Sequence, residues 1–267
     1  MAFDGNPTGP DDELIARGSG APLTEIARAD STAGQFDSFT ADVSLNNFGR
    51  VAFTGELNAD GDEGLFEGSG GPVATRYLAS SSQFVGSISP PSLSDLGQAA
   101  FAEETDLGVR GIFRQNRDGS FTTIADATGE LQSFNDRTSL NNFGSVAFTA
   151  FDDEFTREAL FTGRGGALTE VANTLGEYSP FGFRGPSLND LGRVAFQADL
   201  DDFVSSGVFT GPDAVSDSVI RTGDAIGGKR VQSVTACREM LNARGQVAVK
   251  VTFEDFSEAT IRATPRP

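Results

Sequence analysis

The chain is 267 residues long and carries 38 Asp and Glu against 20 Lys and Arg, a net charge of −18, with no histidine, no tryptophan and one cysteine. A surface of that sign repels phosphate backbones and anionic lipid, which argues against nucleic acid and membrane surfaces as partners. Without imidazole there is no Ser-His or Cys-His nucleophile pair and no ordinary zinc or copper site, and a lone Cys237 allows no internal disulfide.

From the N-terminus, MAFDGNPTGPDDE lacks the basic and apolar regions of a signal peptide. The expectation is a protein that is not exported or one whose leader has been removed. No run of about 18 apolar residues marks a membrane span. Met1-Ala2-Phe3 resembles the end of a strand, but GNPTGP follows at once and makes it a poor one. Residues 13–17, LTEIARA at 23–29 and the pair Phe36 and Phe39 then read as three short strand-like segments, with a Gly-rich turn at 18–22.

Next comes SLNNFGRVAF at 44–53, and this decapeptide recurs as SLSDLGQAAF, SLNNFGSVAF, SLNDLGRVAF and MLNARGQVAV. The copies start at Ser44, Ser92, Ser139, Ser187 and Met240, so the spacings are 48, 47, 48 and 53 residues. Between copies the same three segments return: a Leu-Phe or Ile-Phe cluster, a Thr-rich stretch such as VATRYLA or LTEVANT, and an apolar pair such as Phe84 and Ile88 or Phe181 and Phe183. Each unit is therefore four short β segments with turns between them, and none has a helical period. In the Asn-x-x-Gly turn, Asn bonds its own backbone two residues on and Gly takes positive φ. Asn46, Gly49, Gly97, Asn141, Gly144, Asn189, Gly192, Asn242 and Gly245 are predicted to make that turn. Phe53, Phe101, Phe148 and Phe196 are predicted to pack between neighbouring units, and Ser44, Ser92, Ser139 and Ser187 to bond backbone locally. The slim V-A-F segment suits an innermost strand.

A four-stranded unit repeated at this period predicts an all-β protein, a single β-propeller domain over 1–267 with four antiparallel strands per blade. Repeats fall at approximately 1–48, 49–96, 97–143, 144–191 and 192–244, with closing strands in 245–267. Five blades follow if Gln246 to Phe253 completes a sheet with the N-terminal strands, a mixing of termini that removes open edges. That closure leaves one strand surplus, either 13–17 or 259–263. The alternative is six blades with an incomplete last one.

The column N-x-x-G-x-x-A-F, as NNFGRVAF, NNFGSVAF and NDLGRVAF, resembles the tandem-repeat NxxGxxAF family of bacterial exported proteins, whose members often end in a PEP-CTERM or similar anchor. The resemblance covers essentially the whole chain. It implies export and an extracellular or cell-surface setting, and no catalytic residue. The terminal RATPRP is similar to the stretch before such an anchor, but no apolar tail follows it. Ser94 in the second copy and Ala248-Val249 in the last depart from the pattern, which predicts two looser junctions.

The hairpin after each decapeptide strand is acidic. One hairpin per unit on one face predicts a ring of carboxylates, including Glu103, Glu104, Asp106, Asp152, Asp153, Asp201, Asp202, Glu254 and Asp255, that would gather cations and basic partners. Within it, Asn58, Asp60 and Asp62 have the alternating oxygens of a calcium loop, though not the rest of an EF-hand. A functional site should also break the repeat. Residues 77–91, 173–186 and 226–240 do so, the last with Lys229, Arg230, Cys237, Arg238 and Glu239, where a buried inert cysteine is expected. These features predict a non-catalytic binding or scaffold propeller, monomeric, for a protein or small ligand of cationic character, with no cofactor. The alternatives are a carboxylate-dependent polysaccharide hydrolase or lyase at a central channel, and a calcium-binding surface protein.

Overall fold

The computed structural model describes residues 2–5, 12–20, 22–30, 32, 34–39, 42–85, 89–182 and 184–264; Ile88 and Phe183, both expected in apolar segments, lie outside them. Its regular structure is all β apart from a 3-10 turn at Ala79–Ser81 among the described residues. The chain divides into two compact units, Met1–Asp126 and Ala127–Pro267.

The decapeptide turn forms as its residues dictate. Asn46 Oδ1 accepts the N–H groups of Phe48 and Arg50, both at 3.0 Å, while Gly49 at φ 77° returns its N–H to the Asn46 carbonyl. Asn141, Asn189 and Asn242 repeat the pattern, and Gly97, Gly144, Gly192 and Gly245 hold φ between 76° and 79°. A residue with a Cβ is strained there. In the second copy Ser94 Oγ keeps one of the two bonds, to Gln98 N–H.

Three of the serines expected to bond locally reach across to the next repeat. Ser44 Oγ accepts the N–H of Leu93, Ser139 Oγ that of Leu188 and Ser187 Oγ that of Leu241, each in the next repeat. The turn asparagines reach the same way: Asn46 donates to the Ser94 carbonyl, Asn141 to that of Asn189 and Asn189 to that of Asn242. A further pair of clamps joins Asn47 to Asp95 (2.7 and 2.8 Å) and Asn142 to Asp190 (2.8 and 2.9 Å). The decapeptide is thus a clasp between consecutive repeats as well as a turn.

Within a repeat, the segment before the decapeptide pairs with the strand after it. In the first unit the order is Phe36–Phe39, Val51–Leu57, Glu63–Gly68, Ala74–Leu78. In the second it is Leu131–Phe134, Val146–Asp152, Glu158–Gly163, Thr169–Asn173, then Tyr178–Phe181, Val194–Leu200, Ser206–Phe209, Ser218–Arg221. The V-A-F strand therefore has a partner on both sides. It is not the innermost strand, because the preceding segment takes that edge of the sheet. In the sheet Ala99–Glu104, Arg110–Gln115, Phe121–Asp126 that edge is joined, among the described residues, by a Phe84–Thr105 bridge, by bonds from Val85 to Glu104 and from Asp106 to Gln83, and by the Ser89–Ala102 bonds.

Both candidate surplus strands have places. Ala2–Gly5 pairs with Asp12–Arg17, which pairs with Thr24–Asp30, so the poor N-terminal strand is a real one. At the other end Val247–Phe253 lies between Lys229–Leu241 and Glu258–Ala263. The expected completion of an N-terminal sheet by Gln246 to Phe253 is not what these pairings show: both sides of that strand are occupied by its own sequence neighbours. The long 53-residue spacing is absorbed by a bulge, since Ala236 pairs Val249 and Leu241 pairs Val247 with four residues between on one strand and one on the other. Glu239 in that bulge has φ 58°, and Cys237 is exposed rather than buried.

Within each unit the core lies between consecutive sheets. Ala52, Leu65 and Tyr77 of one sheet meet Leu93, Ala99, Phe101 and Phe113 of the next, and Ala147, Leu160 and Ala172 meet Phe181, Phe196 and Phe209 in the same way. The Phe column packs edge-to-face, as in Phe36–Phe66 (4.8 Å, 83°) and Phe181–Phe196 (5.4 Å, 82°), a geometry favoured by the ring quadrupole. The last interface is aliphatic, built on Val231, Val234, Val249 and Val251.

Candidate functional site

Each V-A-F strand starts at the clasp and ends at an acidic hairpin. Within each unit the hairpins therefore emerge at the end of the sheets opposite the clasp, about 20 Å away for seven residues of strand. The predicted carboxylates divide by role. Asp106, Asp153, Asp201 and Glu254 are exposed, and the backbone N–H of each is tied to a carbonyl of the preceding segment: Gln83, Glu130, Glu177 and Arg230. Asp152, Asp202 and Asp255 instead close the turns. Asp152 takes the N–H and hydroxyl of Thr156, Asp202 takes the N–H groups of Val204 and Ser205, and Asp255 pairs with Lys229 at 2.7 Å and with Ser257. The Lys229 bond, with those from Ser257, holds Asp255 down to about 2. Hydrogen bonds from Ser205 and Val204 lower Asp202; at Asp152 desolvation is the largest single influence and raises the carboxyl, but the bonds from Thr156 and Arg157 together outweigh it and leave it lowered.

The hairpin tips carry a feature the charge pattern did not announce. Phe155, Phe203 and Phe256 sit at φ 55°, 56° and 62°, where the first unit has Gly61 and Gly108, and are 61, 84 and 79 % exposed. A bulky residue in left-handed backbone is costly and uncommon. Each follows directly on an acidic residue: Glu154, Asp202 and Asp255 precede them.

The polar atoms of the expected calcium trio are engaged within the protein. Asn58 donates its amide to the carbonyls of Asp30 and Phe36, whereas both Asp62 oxygens are taken by Ser80. Asp60 Oδ1 accepts the Asp62 N–H. Among the described residues no three His, Cys, Asp or Glu side chains are grouped to hold a metal ion.

Glu103 is not on the rim. It lies between sheets, 4 % exposed, at a column occupied elsewhere by Gly55, Ala150, Ala198 and Val251. Its Oε1 accepts the Glu104 N–H, and its Oε2 has no hydrogen-bond partner. Burial pushes its carboxyl up to about 7, helped by Glu63 and opposed by the Glu104 bond and Arg110. Tyr77 across the interface is raised well above its usual range by burial and then by Glu103. Glu158 is also buried and raised by desolvation, but Asn135 and Phe181 N–H satisfy it. Alternation along Ala99–Glu104 puts Phe101 and Glu103 on one face, the signal that could have moved Glu103 inward from sequence.

A second departure from the repeat lies near the clasp of the first unit, where a cavity of about 630 Å³ is lined by Arg50, Arg76 and Arg117 together with Phe48 and Leu96. Glu67 accepts from Arg50 at 2.7 Å and from Arg76 at 2.8 Å.

A model of a family of unknown function (DUF7453) matches residues 1–262. No curated protein matches the chain. Among solved structures it is similar to one in a nidogen/laminin complex, with TM-score 0.53 and 12 % identity over 95 % of this chain and 85 % of that one. A putative gluconolactonase aligns at TM-score 0.44 and 12 % identity over 100 % and 91 %. The six-bladed β-propeller lectin of Aleuria aurantia aligns at 0.40 and 11 % over 100 % and 96 %. At these identities the likeness concerns fold and carries no ligand or activity across.

Proposed function

The chain belongs to that family, whose description states no activity, and from the geometry we propose a non-catalytic binding or scaffold protein, exported and cell-surface in setting. Its sheets count as six blades of a propeller, one for each of the five V-A-F hairpins and one for the N-terminal meander. The hairpin ends of the second unit form its recognition face, and the partner is a protein segment that offers cations beside apolar side chains. The observation that carries this reading is the trio Phe155, Phe203 and Phe256, exposed and in left-handed backbone among carboxylates. Such residues cost stability without adding to a core, which is what a contact surface does. Exposed Asp153, Asp201 and Glu254 beside them favour Lys or Arg on the partner.

The test is fluorescence anisotropy with labelled peptides of alternating Lys and Leu, against Lys and Ser peptides of equal charge. Wild type should bind the first set at least tenfold more tightly, and Phe155→Ser/Phe203→Ser/Phe256→Ser should erase the difference while its circular dichroism is unchanged. Equal affinity for both peptide sets in wild type would refute the reading.

A further inference from the structure

We propose that the cavity beside the first clasp is a binding site for a small organic carboxylate with an apolar or ring-shaped flank, separate from the hairpin face. The argument starts from the repeat. In every third segment the ladder is broken by one bulged residue, and that residue is Ile26, Ile124, Val171 and Val219 in four of the five cases. In the fifth it is Arg76. Two other columns change with it. Glu67 stands where other repeats have Arg17, Arg114, Thr162, Thr210 or Arg262, and Gln115 stands where they have Gly18, Gly68, Gly163, Gly211 or Ala263.

These three departures form one network. Arg76 donates through Nε to Gln115 at 2.7 Å, through one terminal nitrogen to Glu67 at 2.8 Å and through the other to the Gly97 carbonyl at 2.9 Å. Gln115, itself buried, returns a bond to the Arg76 carbonyl at 3.0 Å. Arg50 takes the second Glu67 oxygen. A drifted surface position would not bring three matched substitutions onto one hydrogen-bonded cluster.

The network positions cations around a cavity. Arg50, Arg76 and Arg117 face the carboxylates of Glu67 and Asp95, an excess of one positive charge on a chain whose net charge is −18. Asp95 is already clamped by Asn47. Arg117 is exposed at the cavity's rim. Guanidinium groups favour planar carboxylates, which they hold with two parallel bonds. Phe48 and Leu96, both largely exposed, supply apolar walls for the rest of the ligand. A volume of about 630 Å³ lies within the range of small-molecule sites.

Calorimetric titrations with benzoate, galacturonate and inorganic phosphate test this on the full chain. Saturable binding of benzoate or galacturonate is expected, weakened at least fivefold by Arg117→Ala, a surface change that should leave the melting temperature in place. Benzoate binding alone assigns an aromatic acid, and galacturonate alone a sugar acid. No saturation with either carboxylate at 10 mM, binding indifferent to Arg117→Ala, or phosphate bound as tightly as both would each overturn the assignment. None of these outcomes bears on the hairpin peptides, so the two readings fail separately.

Discussion

Asn141 and Asn242 occupy the same place in the decapeptide, yet they should differ in what they contribute. Asn141 is buried and makes three bonds: it accepts from Phe143 and Ser145 and donates across the interface to the Asn189 carbonyl. Asn242 is exposed, makes the same two local bonds and otherwise reaches only Gln246. At about 1 kcal/mol net per bond, plus the cost of leaving buried partners unpaired, Asn141→Ala should destabilise by about 2–4 kcal/mol. Asn242→Ala should cost about 1 kcal/mol or less, because water replaces what is lost. For a chain of this size that corresponds to falls in melting temperature of about 5–12 °C and under about 4 °C. Far-UV circular dichroism melts of the two variants at pH 7 measure both. Equal losses would refute the clasp and leave the decapeptide a turn motif alone.

The raised Glu103 makes stability fall with pH: its folded pKa of about 7 lies above the ordinary carboxylate value, so the folded state keeps a proton that the unfolded chain has released. The associated stability is present below about pH 4.5 and is lost by pH 7 to 8, an effect on the order of 2–3 kcal/mol. Glu103→Gln should flatten that slope in melts at pH 5 and 8, and an unchanged slope would contradict the placement. Phe203→Gly relieves left-handed backbone at an exposed tip, so it should raise the melting temperature by a few degrees or leave it level, by up to about 1 kcal/mol; a fall would show that Phe203 packs at home. Calcium at 5 mM should not move the melting temperature, since Asn58 and Asp62 are engaged by the protein; a rise abolished by Asn58→Ala would reverse that.

Much of the fold could be read from the residues because its determinants are local. Asn46 and Gly49 specify their turn within four residues, and Phe53 and Phe101 declare a core column by recurring. What could not be read depends on partners distant in sequence. Nothing in SLNN says that Ser44 will bond Leu93 rather than its own backbone, since the two strands meet only once the sheets stack. The sheet order escaped for a similar reason: small residues in V-A-F suggested crowding at an axis, whereas they are needed between two flanking strands. Sequence alone groups Glu103 with the rim carboxylates because hairpin acidity is continuous through Glu104 and Asp106, and its inward side appears only with the strand's register. Arg76 was hidden by the bulge, which shifts the column by one and makes VATRYLA look like an ordinary polar strand.

Everything proposed for the hairpin face depends on the tips of neighbouring sheets in the second unit lying together. Cys237 is the only cysteine, so in Cys237→Ser a pair of spin labels on Glu154→Cys and Asp202→Cys reports the gap between two neighbouring tips by pulsed electron resonance. Adjacent sheets stack about 10 Å apart, so a shared face predicts a distance below about 25 Å with its label tethers. A distance beyond about 40 Å would contradict the single recognition face.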